Sequence, residues 1–379
     1  MRLIHLSDLH LGKRVNEYSM LEEQEFILKR ILGIIDLEKP DGVIIAGDVY
    51  DKAIPSAEAV ALFDDFLFQL SCRKQQVFVI SGNHDSPERI AFGSRIMDAG
   101  GIHLSPVYNG IIEPIQLADE YGEVFFYLLP FVKPAHVRRF NEESEINSYT
   151  DAIRCVIESM NIDSSKRNVL VTHQFVTGAT RSESEEISVG GSDNVDADVF
   201  KDFDYVALGH LHSPQNCGSK HIRYSGTPLK YSFSEAKDQK SVTIAELFEK
   251  GRVSYRTIDL IPRNDLVELK GSYEELTLKS FYDHTTWQDD YTHITLTDEE
   301  DIPDAIGKLR TVYHHLMKLD YDNQRTRSNV IISGDAQVEA KTPYELFADF
   351  YELQNNQPMS TDQSAYMKEL IEKVWEGEQ

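Results

Sequence analysis

No run of about 18 apolar residues, the length that spans a bilayer, occurs in the 379-residue chain, so a membrane-spanning helix is excluded. Cysteine is scarce. Cys72, Cys155 and Cys217 are odd in number, far apart and in no CxxC spacing, which supports neither a disulfide framework nor a cysteine zinc site. The opening "MRLIHLSD" is too short and too polar for the apolar core of a signal peptide, and a reducing cytoplasm is the expected location. Basic residues are few: 38 Lys plus Arg stand against 63 Asp plus Glu, a formal net charge of −25. That balance excludes a protein that grips nucleic acid unaided through a broad basic face. Internal repeats and low-complexity segments are also absent. A hydrophobic content of 41% suits a soluble globular chain, and the length has room for two domains and an appendage.

What is present first is alternation. "RLIHLSD" is followed by a helical stretch over 18–38, then "DGVIIAGD", a helix over 56–70, "QVFVISG", and a helix that Ser86 caps with Pro87 at its first position. Near-continuous apolar strands between helices predict an α/β fold with helices packed on sheets. Further on come "EVFFYLLP", a helix over 149–160, "RNVLVTH" and "YVALGH". "IRYSG", "SVTIAEL" and "VSYRTIDL" then read as a meander, which makes the sheet system mixed. After Pro262 a compact β-α-β-α pattern begins: "LVELKG", a helix over 273–282, "THITL" and a helix over 303–317. A polar stretch over 320–341 reads as a linker. Beyond it, "TPYE" and "STDQ" match the capping-box pattern at the starts of two short helices.

Chemistry gathers where strands end. "HLSDLH" closes on Asp8 and His10, "VIIAGD" on Asp48, "VISGNHD" on Asn83, His84 and Asp85, "VLVTH" on His173, and "VALGHLH" on His210 and His212. Open α/β sheets place their ligands at such ends. A single histidine there is more often structural than ligating, and His5, His103, His136, His221, His284, His293, His314 and His315 keep that reading. Five strand ends that all carry ligand-type groups do not. Imidazole, carboxylate and amide oxygen without thiolate suit a divalent ion such as Mn²⁺, Fe²⁺ or Zn²⁺.

The order DxH, GD, GNHD, a later H, and GHxH resembles the calcineurin-like metallophosphoesterase superfamily. "IHLSDLHLG", "GDVYDKAIPS", "ISGNHDSPERI" and "YSGTPLKYSFSE" are similar to the SbcD family of bacterial nuclease subunits. The resemblance implies a two-sheet β-sandwich flanked by helices, with a small α+β capping domain and a C-terminal helical pair. The boundaries it suggests are 1–262 for the phosphoesterase domain, 263–320 for the cap, 321–341 for a linker and 342–379 for the helices. It further implies two divalent metals, with manganese expected: Asp8, His10 and His212 on one, Asn83, His173 and His210 on the other, and Asp48 bridging. His84 would face the phosphate, with Asp85 orienting its ring. Three residues after the bridging aspartate this chain has Asp51, as the bacterial branch does, where archaeal and eukaryotic relatives have histidine.

The implied activity is DNA cleavage, exonucleolytic from duplex ends in the 3′ to 5′ direction and endonucleolytic on single strands or hairpins. The implied partner is an SbcC-like ABC-type ATPase. Tyr366, Met367, Leu370, Ile371, Val374 and Trp375 form one apolar stripe at helical spacing, and Leu346, Phe347, Phe350 and Tyr351 form another. Helices this short are marginal alone. They either fold back on their own domain or, as relatives do, dock the coiled coil of the ATPase, which would then supply most of the DNA-binding surface. Leu62, Phe63, Phe66, Leu67 and Leu70 form a core stripe on the helix over 56–70, Phe68 points away from it, and a homodimer is expected through this region. Two other readings compete: a superfamily phosphoesterase acting on nucleotides or phosphoproteins, and a scaffold that keeps the fold without catalysis. Loss of ligands would mark the scaffold, and none of the seven is missing.

Overall fold

A computed structural model describes residues 1–141, 145–180, 194–324, 326, 343–355 and 357–376. The chain divides into two compact units, Met1–Asp265 and Leu266–Gln379.

In the first unit, six strands in the order Val253–Asp259, Ser241–Leu247, Arg2–Leu6, Gly42–Ala46, Gln76–Ile80 and Ile102–Leu104 form one mixed sheet. A second runs Gln215–Cys217, Ser219–Tyr224, Tyr205–Gly209, Arg167–His173, Gly122–Leu129, Ile115–Asp119. The two sheets face each other. Leu3, Ile44, Phe78 and Ile80 of the first meet Phe126, Val169, Val171, Tyr205 and Ala207 of the second, and the rings of Phe78 and Phe126 stack at 4.2 Å. Side chains alternate along a strand. Leu170, Val206 and Leu208 therefore turn to the opposite face, where Ala152, Ile153, Val156 and Ile157 of the helix Tyr149–Ser159 cover them. Burial on both faces is why these strands read as unbroken apolar runs.

Helix starts follow their caps. Ser56 accepts from Ala59 N–H at 3.3 Å ahead of Ala57–Cys72, and Ser148 from Asp151 N–H at 3.0 Å ahead of Tyr149–Ser159. The first helix is shorter than expected, Leu21–Glu38, because Tyr18–Ser19 pairs with Arg14–Val15 as a small ribbon. The helix capped by Ser86 is one turn, Pro87–Ile90.

The expected meander is incorrect. Ser219–Tyr224 pairs in parallel with Tyr205–Gly209 in the second sheet, whereas Ser241–Leu247 and Val253–Asp259 form a hairpin in the first. The chain crosses between sheets after Tyr224, and Ser241–Leu247 pairs antiparallel with Arg2–Leu6.

The second unit holds a parallel three-stranded sheet, Leu266–Gly271, Tyr291–Leu296 and His315–Tyr321, over a core of Leu276, Ile294, Leu296, Leu309, Tyr313 and Leu316. The expected helix over 303–317 is only Ala305–Leu309. Its apolar spacing through Leu309, Tyr313 and Leu316 imitates a helix, but pairing with Tyr291–Leu296 draws the later residues into a strand. The expected linker falls mostly outside the described residues, and its first residue, Tyr321, closes this strand. Two helices follow, Pro343–Asn355 and Thr361–Glu376. Ser360 N–H donates to Gln363 Oε1 at 2.9 Å and Gln363 N–H to Ser360 Oγ at 3.3 Å, a capping box; Thr342 of the other lies outside the described residues.

Parallel registers carry the strands Arg2–Leu6, Gly42–Ala46 and Gln76–Ile80 to a common edge, and Gly209 is paired with His173 at the matching edge of the other sheet. The sheets touch there. A Cβ on Gly209 would stand 1.8 Å from the Ala46 carbonyl oxygen and 2.7 Å from His173 Nδ1. Gly209→Ala should therefore cost about 3 kcal/mol or more, since neither backbone nor buried ring can withdraw without repacking. Denaturant unfolding measures it, and a midpoint equal to wild type would refute the close approach.

Candidate metal centre

The loops that leave these strand ends bend sharply. Asp8, His10, Asp48 and His210 have φ of 52°, 44°, 46° and 105°, values that side chains with a Cβ disfavour and that concentrate at functional sites. Backbone bonds fix the bends: Asp8 N–H donates to Gly47 O at 3.0 Å and His10 N–H to Asp48 O at 2.9 Å. His210 N–H donates to both Asp8 carboxylate oxygens at 3.1 Å.

All seven expected ligands converge. Asp8, His10 and His212 offer ligand atoms within 4.8 Å of one another, as do Asp8, Asp48 and His173, and His10, Asp48 and His84. Asn83 Oδ1 lies 2.9 Å from His173 Nε2 and 3.0 Å from His210 Nδ1, which joins those three.

The donor set fits a cation. His173 Nδ1–H donates to the Ala46 carbonyl at 2.9 Å, so in the neutral ring Nε2 carries a lone pair, aimed at Asn83 Oδ1 and, at 3.3 Å, at Asp48 Oδ2. Electron-rich atoms that close need positive charge among them, supplied by a proton or, when one is bound, by a cation. His10 Nε2 and His212 Nε2 are likewise 3.2 Å apart, and buried His10 Nδ1 has no hydrogen-bond partner among the described residues. The charges agree. Burial lowers the His173 imidazole, yet Asp48 and then Asp8 outweigh it and drive it up to about 9, while burial raises the Asp48 carboxyl and His173, His10 and His84 pull it well below the usual range.

His84 and Asp85 part company. The His84 side chain is 19% exposed where His10 and His173 are 1% and 0%, so it is the most accessible of these three rings. Its N–H donates to Asp48 Oδ1 at 2.9 Å and its Nδ1–H to the carbonyl of Asp51 at 3.0 Å. The ring is thus oriented by main chain, which corrects the expectation that Asp85 orients it. Asp85 instead accepts from Val49, Tyr50 and Gly82 N–H at 2.9 to 3.0 Å and ties the Asp48 loop to the Asn83 loop. Burial and the neighbouring Asp48 push its carboxyl up to about 7 against those three bonds. The Asp51 side chain pairs with Lys13 at 2.8 Å.

Sequence reasoning missed the residues behind the ligands. Gln24 donates to His10 O at 2.7 Å and to Tyr231 Oη at 2.9 Å, and Tyr231 donates to Leu9 O at 2.6 Å. Glu235 is 3.3 Å from His212 Nδ1; burial raises its carboxyl, but His212 and Lys240 hold it at about 2. The stretch "YSGTPLKYSFSE" contains two of these residues, and only the fold shows what they face. His5 stays structural, buried between Tyr205 Oη at 2.9 Å and Leu208 O at 3.2 Å.

Residues 1–214 match the family model of the calcineurin-like phosphoesterases, and residues 262–355 match that of the type 5 capsule protein repressor C-terminal domain. Two proteins named as the SbcD component of the nuclease SbcCD are similar along the whole chain. The one from Staphylococcus epidermidis is 30% identical with all of both chains covered, and the one from Staphylococcus saprophyticus is 30% identical with 99% of each covered. Among solved structures, a dimetal phosphatase from Danio rerio aligns with a TM-score of 0.42 and 12% identity over 69% of this chain and 99% of that one. With a family model over more than half its length and relatives matched end to end, the chain belongs to the calcineurin-like phosphoesterases, within the SbcD family, and is a metal-dependent phosphodiesterase.

Proposed function

We propose that the protein is the nuclease subunit of a complex with an SbcC-like ABC-type ATPase, acting in cytoplasmic DNA repair and recombination. It degrades duplex ends 3′ to 5′ and cuts single strands or hairpins. The observation that carries this reading is the convergence of seven ligand-type side chains at one buried edge of a chain whose full-length relatives are named as components of the nuclease SbcCD. Asp8, His10 and His212 would hold one divalent ion and Asn83, His173 and His210 the other, with Asp48 as the ligand available to both. Manganese suits this oxygen and imidazole set. When bound, the two cations outweigh the carboxylates of Asp8 and Asp48, attract a phosphodiester to an acidic protein, and offset charge on the attacking and leaving oxygens.

The chain's own residues do the rest. Asp85 fixes the spacing of the Asp48 and Asn83 loops. The Asp51 carbonyl holds His84 at Nδ1 and leaves Nε2 on the side of the ligand cluster, 3.9 Å from Asp48 Oδ2, where the ring would donate to a phosphate oxygen and pass a proton to the leaving 3′ oxygen. The water oxygen bonds to phosphorus as that P–O bond breaks, and the proton that the water gives up goes to solvent, from which His84 regains the one it lost. A phosphoesterase acting on nucleotides or phosphoproteins remains the competing reading, and rates on duplex ends, hairpins, mononucleotides and phosphopeptides separate the two.

The helical pair supports the partner. Tyr344 and Ser364 side chains hydrogen-bond, and Lys368 Nζ sits 4.6 Å over the Tyr344 ring, so the two helices pack on each other. Leu346, Phe350, Tyr366 and Leu370 nevertheless stay exposed. An apolar face on paired amphipathic helices is the form that docks to another helix. On the helix Ala57–Cys72, Val60 and Phe68 are exposed, and we assign the homodimer contact there.

His84→Ala should keep both metals in elemental analysis and lose about 10²- to 10³-fold in cleavage, the usual cost of one transition-state contact. Asp48→Ala should lose metal. Equal depletion in the two variants would overturn the division of roles. Leu346→Glu with Leu370→Glu should abolish co-purification with the co-expressed ATPase and leave Mn²⁺-dependent cleavage of single strands intact; undiminished association would remove the helices from the interface.

A further inference from the structure

The stretch from Tyr224 to Lys240 contributes no ligand, yet it encloses one. Thr227 N–H donates to the His212 carbonyl at 3.0 Å, and Lys240 Nζ donates to the same oxygen at 2.9 Å. Gly226, at φ 76°, passes so close that a Cβ would stand 2.7 Å from it. On the ring side, Glu235 Oε1 is 3.3 Å from His212 Nδ1, and Glu235 Oε2 takes Lys240 Nζ at 2.6 Å. One ion pair therefore grips both the main chain and the ring of a single histidine. The side chains of Glu235 and Lys240 are 0% and 3% exposed.

A buried ion pair adds little stability by itself, because removing two charges from water offsets their attraction. Its placement calls for another role. A carboxylate paired with an ammonium only accepts, so His212 Nδ1 carries the hydrogen and Nε2 the lone pair. That Nε2 is the atom facing His10 Nε2 at 3.2 Å. His173 obtains the same result from a main-chain carbonyl; at His212 a charged group does it, and a carboxylate behind an imidazole also raises its basicity as a ligand.

We propose that Glu235 and Lys240 are positioning residues for His212, fixing its tautomer and ring plane so that Nε2 meets the cation shared with Asp8 and His10. This rests on the ligand assignment above. The test is Mn²⁺ titration of the full chain by calorimetry, with electron paramagnetic resonance to follow the coupled pair of ions and thermal melting to follow the fold. Glu235→Gln and Lys240→Met each leave a disturbed buried partner and should melt early. The double variant Glu235→Gln with Lys240→Met removes both charges and should recover most of the melting temperature. Its affinity for one Mn²⁺ per chain should still fall about 10- to 100-fold, with the second ion bound as in wild type and the coupled signal replaced by that of a single ion. If the double variant regains stability and binds both ions as tightly as wild type, or weakens both equally, the positioning role is overturned. His212→Ala separates this from failure of the assignment. Loss of one ion there, with the double variant binding normally, overturns positioning alone; two ions retained there overturns the assignment and positioning with it.

Discussion

Two carboxylates, Asp8 and Asp48, are buried at the edge where the sheets meet, and among the described ion pairs neither has a lysine or arginine partner. Removing a carboxylate from water costs several kcal/mol unless positive charge answers it. The surrounding structure follows from that demand. Imidazoles from three other strand ends gather around the pair, and against the pull of burial the two carboxylates shift the His173 imidazole upward. The unfavourable backbone of Asp8, His10, Asp48 and His210 persists because hydrogen bonds between loops leave no alternative path.

The sandwich makes this arrangement possible. Strands buried on both faces are stiff, and their parallel registers set the positions of the loops to within a residue. Asp85 joins two loops through three backbone donors, Gln24 and Tyr231 support the Leu9–His10 backbone, and Gly209 lets one sheet edge rest on the other. The candidate ligands are thus carried on short loops from rigid elements, an arrangement suited to holding a metal geometry without relying on flexible chain.

The acidity and the chemistry also fit together. A net charge of −25 opposes a polyanion at long range, while divalent cations held by the candidate ligands would reverse the sign at the centre. On the proposed function, binding strength for long DNA comes from a second protein, for which the exposed apolar residues on the C-terminal helices are the proposed contact.

Much of this was legible in the residues. The strand ends, their order and the types of candidate ligand are local signals, because an apolar run closed by Gly, Asp, Asn or His marks its own terminus; the caps at Ser86 and Ser360 are local for the same reason. What escaped was decided by neighbours. No pattern in "IRYSG" and "SVTIAEL" says that they lie in different sheets, and the helical spacing through Leu309, Tyr313 and Leu316 carries no sign of the strand beside it. His84 takes its orientation from the carbonyl of Asp51, an atom that every residue type possesses and that no side-chain pattern can reveal. Glu235 and Lys240 stand more than twenty positions from His212 and become its partners only when the crossover between sheets folds over it. The sequence by itself determined which groups stand at the strand ends, since that is written in consecutive residues. Tertiary structure alone decided which groups face which, because contact between distant segments depends on packing that the local chain does not encode.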